Sequence, residues 1–69
     1  MTSRYIGVSW DAQKGKWRTR IYLKGGKKKH GGHFHDELDA AKRINQLCEE
    51  NGMPHKNHGI GTIPNQQVA

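Results

Sequence analysis

Lys16, Arg18, Arg20 and Tyr22 take alternate positions in one short run, Lys16-Trp17-Arg18-Thr19-Arg20-Ile21-Tyr22. Their chemistry is anion capture. An ammonium is a point charge for phosphate, a guanidinium is a planar fork of donors, and a phenol both donates and accepts. The intervening Trp17, Thr19 and Ile21, continued by Leu23, can face a core. A β-strand sends successive side chains to opposite faces. The run therefore predicts a strand with one core face and one row of cations ending in an aromatic. No acid interrupts the row, whereas a merely solubilising face mixes signs. Such a strand reads a polyanion from its outer face, nucleic acid above all.

Within the row, Arg18 and Arg20 are the candidates for base contact. A guanidinium can bond guanine O6 and N7 together, a contact worth about 1–3 kcal/mol of discrimination. Tyr22 can hydrogen-bond a base or a phosphate. Lys14, Lys16, Lys24, Lys27 and Lys28 are expected at phosphates, where they position the protein without reading sequence. Trp17 belongs to the core side. Trp10 is shared between two expectations, packing at the sheet edge and touching sugar and bases.

The elements that must position these residues follow from local pattern. Residues 4–10 are rich in β-branched and aromatic types and read as a first strand. Asp11 to Gly15 is a hairpin loop, residues 16–23 a second strand, and Lys24-Gly25-Gly26-Lys27 a turn. Residues 28–34 form a third strand, in which Gly31-Gly32 marks a bulge. Asp36 is a favoured N-cap, with Glu37 and Asp39 in the first turn where the helix dipole favours anions. Leu38, Ala41, Ile44, Leu47 and Cys48 recur at helical spacing as one buried face. Asn51-Gly52, followed by Pro54, is a stop. The predicted fold is α+β, a three-stranded antiparallel β-sheet packed against one C-terminal α-helix. Val8, Trp17, Ile21, Leu23 and Phe34 face that helix. Residues 1–3 read as a disordered N-terminus, 4–52 as the folded domain, and 53–69 as a mostly disordered tail pinned early by Met53 or Ile60.

Composition agrees with this division of labour. Sixty-nine residues allow one domain, and a 32% apolar fraction allows only a small core. The net charge of +6 is segregated. Residues 1–35 hold nine Lys or Arg against one acid, a net +8; residues 36–69 hold three against five, a net −2. Segregation points one face at a polyanion. A single cysteine, Cys48, excludes an internal disulfide and four-cysteine zinc sites, and reads as a small buried hydrophobe. No run approaches the roughly 18 apolar residues of a membrane span. His30, His33 and His35 lie close in sequence, but the CxxC-like spacing of structural zinc sites is lacking. The acids form no Ser–His–Asp or Cys–His arrangement, and no phosphate-cradling loop is present. The expectation is a binding module that is not an enzyme, with no cofactor, no metal, no small-molecule substrate and no membrane partner.

Four short motifs give the chain a family resemblance. They are Tyr5-Ile6-Gly7-Val8-Ser9-Trp10, Gly15-Lys16-Trp17-Arg18-Thr19-Arg20-Ile21, Gly32-His33-Phe34 and Glu37-Leu38-Asp39-Ala40-Ala41. In order and spacing they resemble the DNA-binding domain of plant Apetala-type and ethylene-response-factor transcription regulators, over about Tyr5 to Gly52. Versions of that domain also occur in protozoan transcription factors and beside phage homing endonucleases. The resemblance implies a three-stranded sheet on one helix, with the sheet entering the major groove of double-stranded DNA. By position it carries base or phosphate contact to Arg18, Arg20 and Tyr22 on strand two and to Lys28 and His30 on strand three. This chain also departs from the plant GCC-box readers. Ile6 and Ser9 stand where those have Arg, Arg20 where they have Glu, Tyr22 where they have Arg, and His30 where they have Trp. The groove-binding mode is expected to carry over and the GCC-box target is not. Ser9, Trp10 and His30 join the base-contact candidates on this ground.

The sequence thus predicts a monomeric, sequence-specific double-stranded DNA-binding domain of a transcription regulator, acting in the nucleus, or inside the cell if the source is a prokaryote or phage. Two other expectations stand beside it: the DNA-targeting module of an integrase or homing endonuclease, and an RNA-binding module.

Overall fold

The computed structural model describes residues 3–63. Strand β1 spans Val8–Asp11 and β2 spans Lys16–Tyr22. A short 3-10 turn, Lys24–Gly26, leads to β3, Lys28–Phe34, and helix α1 follows at Glu37–Glu50. The sheet is antiparallel in the order β1-β2-β3, with α1 packed on one face, the expected α+β arrangement. Alternation in β2 decides which face that is. Thr19 and Ile21 are buried, and Trp17 packs half-buried on the same side. Val8 and Ile21 meet Ala40, Ala41, Ile44, Leu47 and Cys48 of α1 in the core. Tyr5, Trp17, Leu23, Phe34, Met53 and Ile60 close around it. Leu38, expected on the buried helix face, is half-buried, and Ala40 and Asn45 take fully buried places instead.

The helix ends are built as their residues dictate. The Asp36 carboxylate accepts from the Leu38 amide (2.9 Å), one of the donors a helix N-terminus leaves free. At the other end Gly52 takes a φ of +71°, so its amide reaches Glu49 O (3.2 Å) and the Met53 amide reaches Cys48 O (2.8 Å). That pair of bonds is a Schellman cap, and Met53, the next residue, packs on the core.

Two expectations about the termini change. The first strand was expected over residues 4–10, but pairing begins at Val8. Residues 3–7 are held elsewhere. The Ser3 hydroxyl and the Arg4 amide bond Glu37 at the start of α1, and the Tyr5 amide bonds Ser3 Oγ. Gly7 turns this segment into the sheet at φ +84°. A Cβ there would lie 2.8 Å from both Arg20 O and Ile44 Cδ1, so glycine is required. The segment after α1 was expected as a loose tail pinned at Met53 or Ile60. Both pack on the core, and Asn57 between them is buried. The rest of the expected tail, residues 64–69, lies outside the described residues.

A pair of asparagines ties these segments together. Asn45, fully buried on α1, donates through Nδ2 to Asn57 O and Gly61 O, both at 2.7 Å, and accepts the Asn57 amide at 3.0 Å. The Asn57 side chain then accepts the Ile6 amide (2.7 Å) and donates to Ile6 O (3.1 Å). Helix, C-terminal segment and N-terminal segment are thus joined by one satisfied polar network. This is the condition on which buried amides are tolerated.

Candidate nucleic-acid interface

The face of the sheet turned away from α1 is set by register. Opposite residues of an antiparallel pair share a face. Ser9 lies opposite Arg18 and Asp11 opposite Lys16, while His33, His30 and Lys28 of β3 lie opposite Arg18, Arg20 and Tyr22. The outer face is therefore a central row of Lys16, Arg18, Arg20 and Tyr22. Ser9 and Asp11 flank it on one side, and His33, His30 and Lys28 on the other. The irregularity between Thr19 and Arg20 makes this alignment possible, because the extra residue Gly31 resets the alternation of β3. A Cβ on Gly31 would come within 3.0 Å of Thr19, Arg43 and Leu47, so the bulge also admits the helix.

Of the sequence-predicted contact residues, Ser9, Lys16, Arg18, Arg20, Tyr22, Lys28 and His30 come together on this face. Lys14 in the hairpin loop and Lys24 and Lys27 at the opposite turn stand exposed at its two ends. Trp10 does not join them. It lies opposite Trp17 on the helix side, the two rings edge to face with centroids 5.1 Å apart. Of its two expected roles, packing at the sheet edge is the one its position fits. The signal was present in the alternation itself, since Val8 facing inward turns Trp10 inward too.

The cations of the face are unpaired. Among the described residues the ion pairs are His33–Asp11, Arg43–Glu50 and His55–Glu49, and none uses Lys14, Lys16, Arg18, Arg20, Lys24, Lys27 or Lys28. Arg18 is under-used further. Its Nη2 donates to Ser9 Oγ at 3.3 Å, while its Nε–H is shielded from solvent without a partner. Arg20 lies over the Tyr22 ring, its guanidinium carbon 5.5 Å from the centroid. This is a cation–π stack that holds both side chains side by side.

The one acid on this face, Asp11, is held by hydrogen bonds on both oxygens. His33 Nε2 donates to Asp11 Oδ2 at 3.1 Å, reaching from β3 to β1 across the central strand. Asp11 Oδ1 accepts the Gln13 and Lys14 amides and so shapes the hairpin loop. Desolvation works to raise the Asp11 carboxyl. The Lys14 amide, the His33 ring, the Gln13 amide and the imidazole charge together outweigh it and hold the group below its ordinary 3.8. Sequence reasoning placed His33 only in a short histidine cluster. Its position opposite Arg18 depends on Gly31 being the extra residue of the bulge that Gly31-Gly32 marked, a choice the glycine pair alone does not make.

Among the described residues, no group of three His, Cys, Asp or Glu side chains is placed to hold a metal ion, and no helix is long and apolar enough to cross a membrane. No protein-family model, curated protein or solved structure matches the chain.

Proposed function

We propose that this chain is a sequence-specific double-stranded DNA-binding domain that inserts the outer face of its sheet into the major groove. The observation that carries the reading is the group Lys16, Arg18, Arg20 and Lys28, none of them in an ion pair among the described residues and all aligned on one face. Size supports it. The central strand β2 and either neighbour form a two-stranded ribbon with backbones about 4.8 Å apart, the form that a major groove about 12 Å wide admits. Arg18 and Arg20 read base edges, Lys16 and Lys28 meet the flanking phosphates, and Lys14, Lys24 and Lys27 extend the grip at the ends. The helix braces the sheet from behind. The resemblance to Apetala-type and ethylene-response-factor domains extends the proposal to a transcription regulator acting in the nucleus.

Sheet-based RNA readers stack bases on exposed aromatics. With Trp10 turned inward, Tyr22 is the one Phe, Tyr or Trp side chain of the described outer face, beside the imidazoles of His30 and His33, and this face is richer in cations than in stacking surface, which favours duplex DNA. The test is an amide NMR titration of the labelled domain with a short mixed-sequence duplex. Shifts centred on Lys16–Tyr22 and Lys28–His30, weakened by salt, are expected. Shifts confined to Glu37–Glu50 would overturn the groove-insertion mechanism, and no shift at low salt would overturn DNA binding.

A further inference from the structure

The outer face ends beside Tyr22 in an open cleft of about 330 Å³, where the chain before β1 turns at Gly7, whose carbonyl still accepts the Arg20 amide of β2 at 3.0 Å. Its apolar lining is Ile6, Val8, Ile21 and Tyr22, of which Val8 and Ile21 are buried in the core, and its polar lining is Arg20, Ser9 and Lys56. Ile6 and Tyr22 are the exposed large hydrophobics of the described residues, at 57% and 58% exposure. Isolated exposed apolar side chains are ordinary. Here both stand on one cleft, and Ile6 is fastened there, its amide and carbonyl both bonded by the buried Asn57.

We propose that this cleft receives the 5-methyl group of a pyrimidine, thymine or 5-methylcytosine, beside the guanine read by Arg20. The inference rests on the DNA-binding reading and adds a specificity pocket to it. The Arg20 guanidinium already lies over the Tyr22 ring at the cleft's rim. With that fork on guanine O6 and N7, the neighbouring base presents its 5-position to the surface on which Arg20 rests. A methyl there meets Ile6 and Tyr22, the kind of apolar contact by which a thymine methyl is read in the major groove. The charges favour this occupant over an apolar protein segment. Arg20 and Lys56 line the cleft, no acid does, and it continues directly into the cationic row.

A preferred duplex is first selected from a random library with the full chain. It is then titrated in three forms: unchanged, with every thymine replaced by uracil, and with every cytosine replaced by 5-methylcytosine. The expected result is about fourfold weaker binding with uracil, or about fourfold tighter binding with 5-methylcytosine, the effect of burying one methyl group. The form that responds names the base. Ile6→Ser, a change at an exposed position, is expected to bind the uracil duplex as well as the parent does and to lose the methyl effect. Equal binding to all three duplexes overturns the proposal while leaving DNA binding intact, as does a methyl effect that survives in Ile6→Ser. Failure to select or bind any duplex overturns the DNA-binding reading and this inference with it.

Discussion

Arg18 and Arg20 differ from the lysines around them in what a substitution should remove. Arg20→Lys keeps the charge and loses the planar fork. Its duplex binding is expected to keep its salt dependence while discrimination at one base pair falls by about 1–3 kcal/mol. Competition between the selected duplex and single-base variants measures this, and an unchanged preference would remove Arg20 from base reading. Asp11 sits on the same face with the opposite sign. Asp11→Asn keeps an oxygen for the Gln13 and Lys14 amides and removes the one negative charge facing the groove. That charge repels nearby phosphates, so duplex affinity should rise in Asp11→Asn at low salt and the gain should fade as salt screens it. The same substitution tests the carboxyl's lowered pKa. A group depressed in the folded state stabilises the fold above its unfolded value, and that contribution is lost as pH falls through its folded value. For Asp11 the contribution is present above about pH 4 and disappears below 3.8. Any thermal-midpoint advantage of the parent over Asp11→Asn should therefore shrink between neutral pH and about pH 3. A constant difference would mean that His33 and the loop amides do not favour the charged form.

The elements were legible in the sequence where their signal is local. Alternation in residues 16–22 marked both faces of β2, and Asp36, Asn51 and Gly52 marked the ends of α1, because strand period and helix caps are written within a few residues. What could not be read is the joining of elements. Asn57 meets Asn45 at a separation of twelve residues and Ile6 at fifty-one, and a polar pair leaves no periodic trace at such distance. For the same reason residues 4–7 looked like strand, although the Arg4 amide bonds Glu37, Ile6 bonds Asn57, and only the Gly7 carbonyl reaches β2, at the Arg20 amide. The asparagine network therefore predicts a cost that hydrophobic pattern does not. Asn45→Ala strips buried partners from the Asn57 amide and from two carbonyls, each a group expensive to leave unpaired. We expect a loss of about 3 kcal/mol in denaturant unfolding, a large share of the roughly 3–10 kcal/mol available to a chain this size. Hydrogen exchange should accelerate at Ile6 and Asn57 together. A loss below about 1 kcal/mol would mean that these segments are held by Met53 and Ile60 alone.

Across the whole molecule the charges are sorted front to back. Lys16, Arg18, Arg20 and Lys28 lie on the outer face of the sheet against one acid, Asp11, while the helix behind it carries Glu37, Asp39, Glu49 and Glu50 against Lys42 and Arg43, a net −2. A polyanion is therefore drawn to one side of the domain and repelled by the other, so electrostatics orients the encounter before any base is read. This arrangement predicts a salt dependence that counts contacts. If Lys14, Lys16, Lys24, Lys27 and Lys28 each neutralise a phosphate, the slope of log K against log salt should be about −4.5. Lys28→Ala should bring it near −3.6 and weaken all duplexes alike, because a phosphate contact carries no sequence information. Fluorescence anisotropy over a salt series measures both. A parent slope shallower than about −2 would mean that at most two lysines reach phosphates. The sheet would then lie across the backbone without entering the groove. An unchanged slope in Lys28→Ala would place the β3 edge outside the contact and leave β2 and the β1 side to carry it.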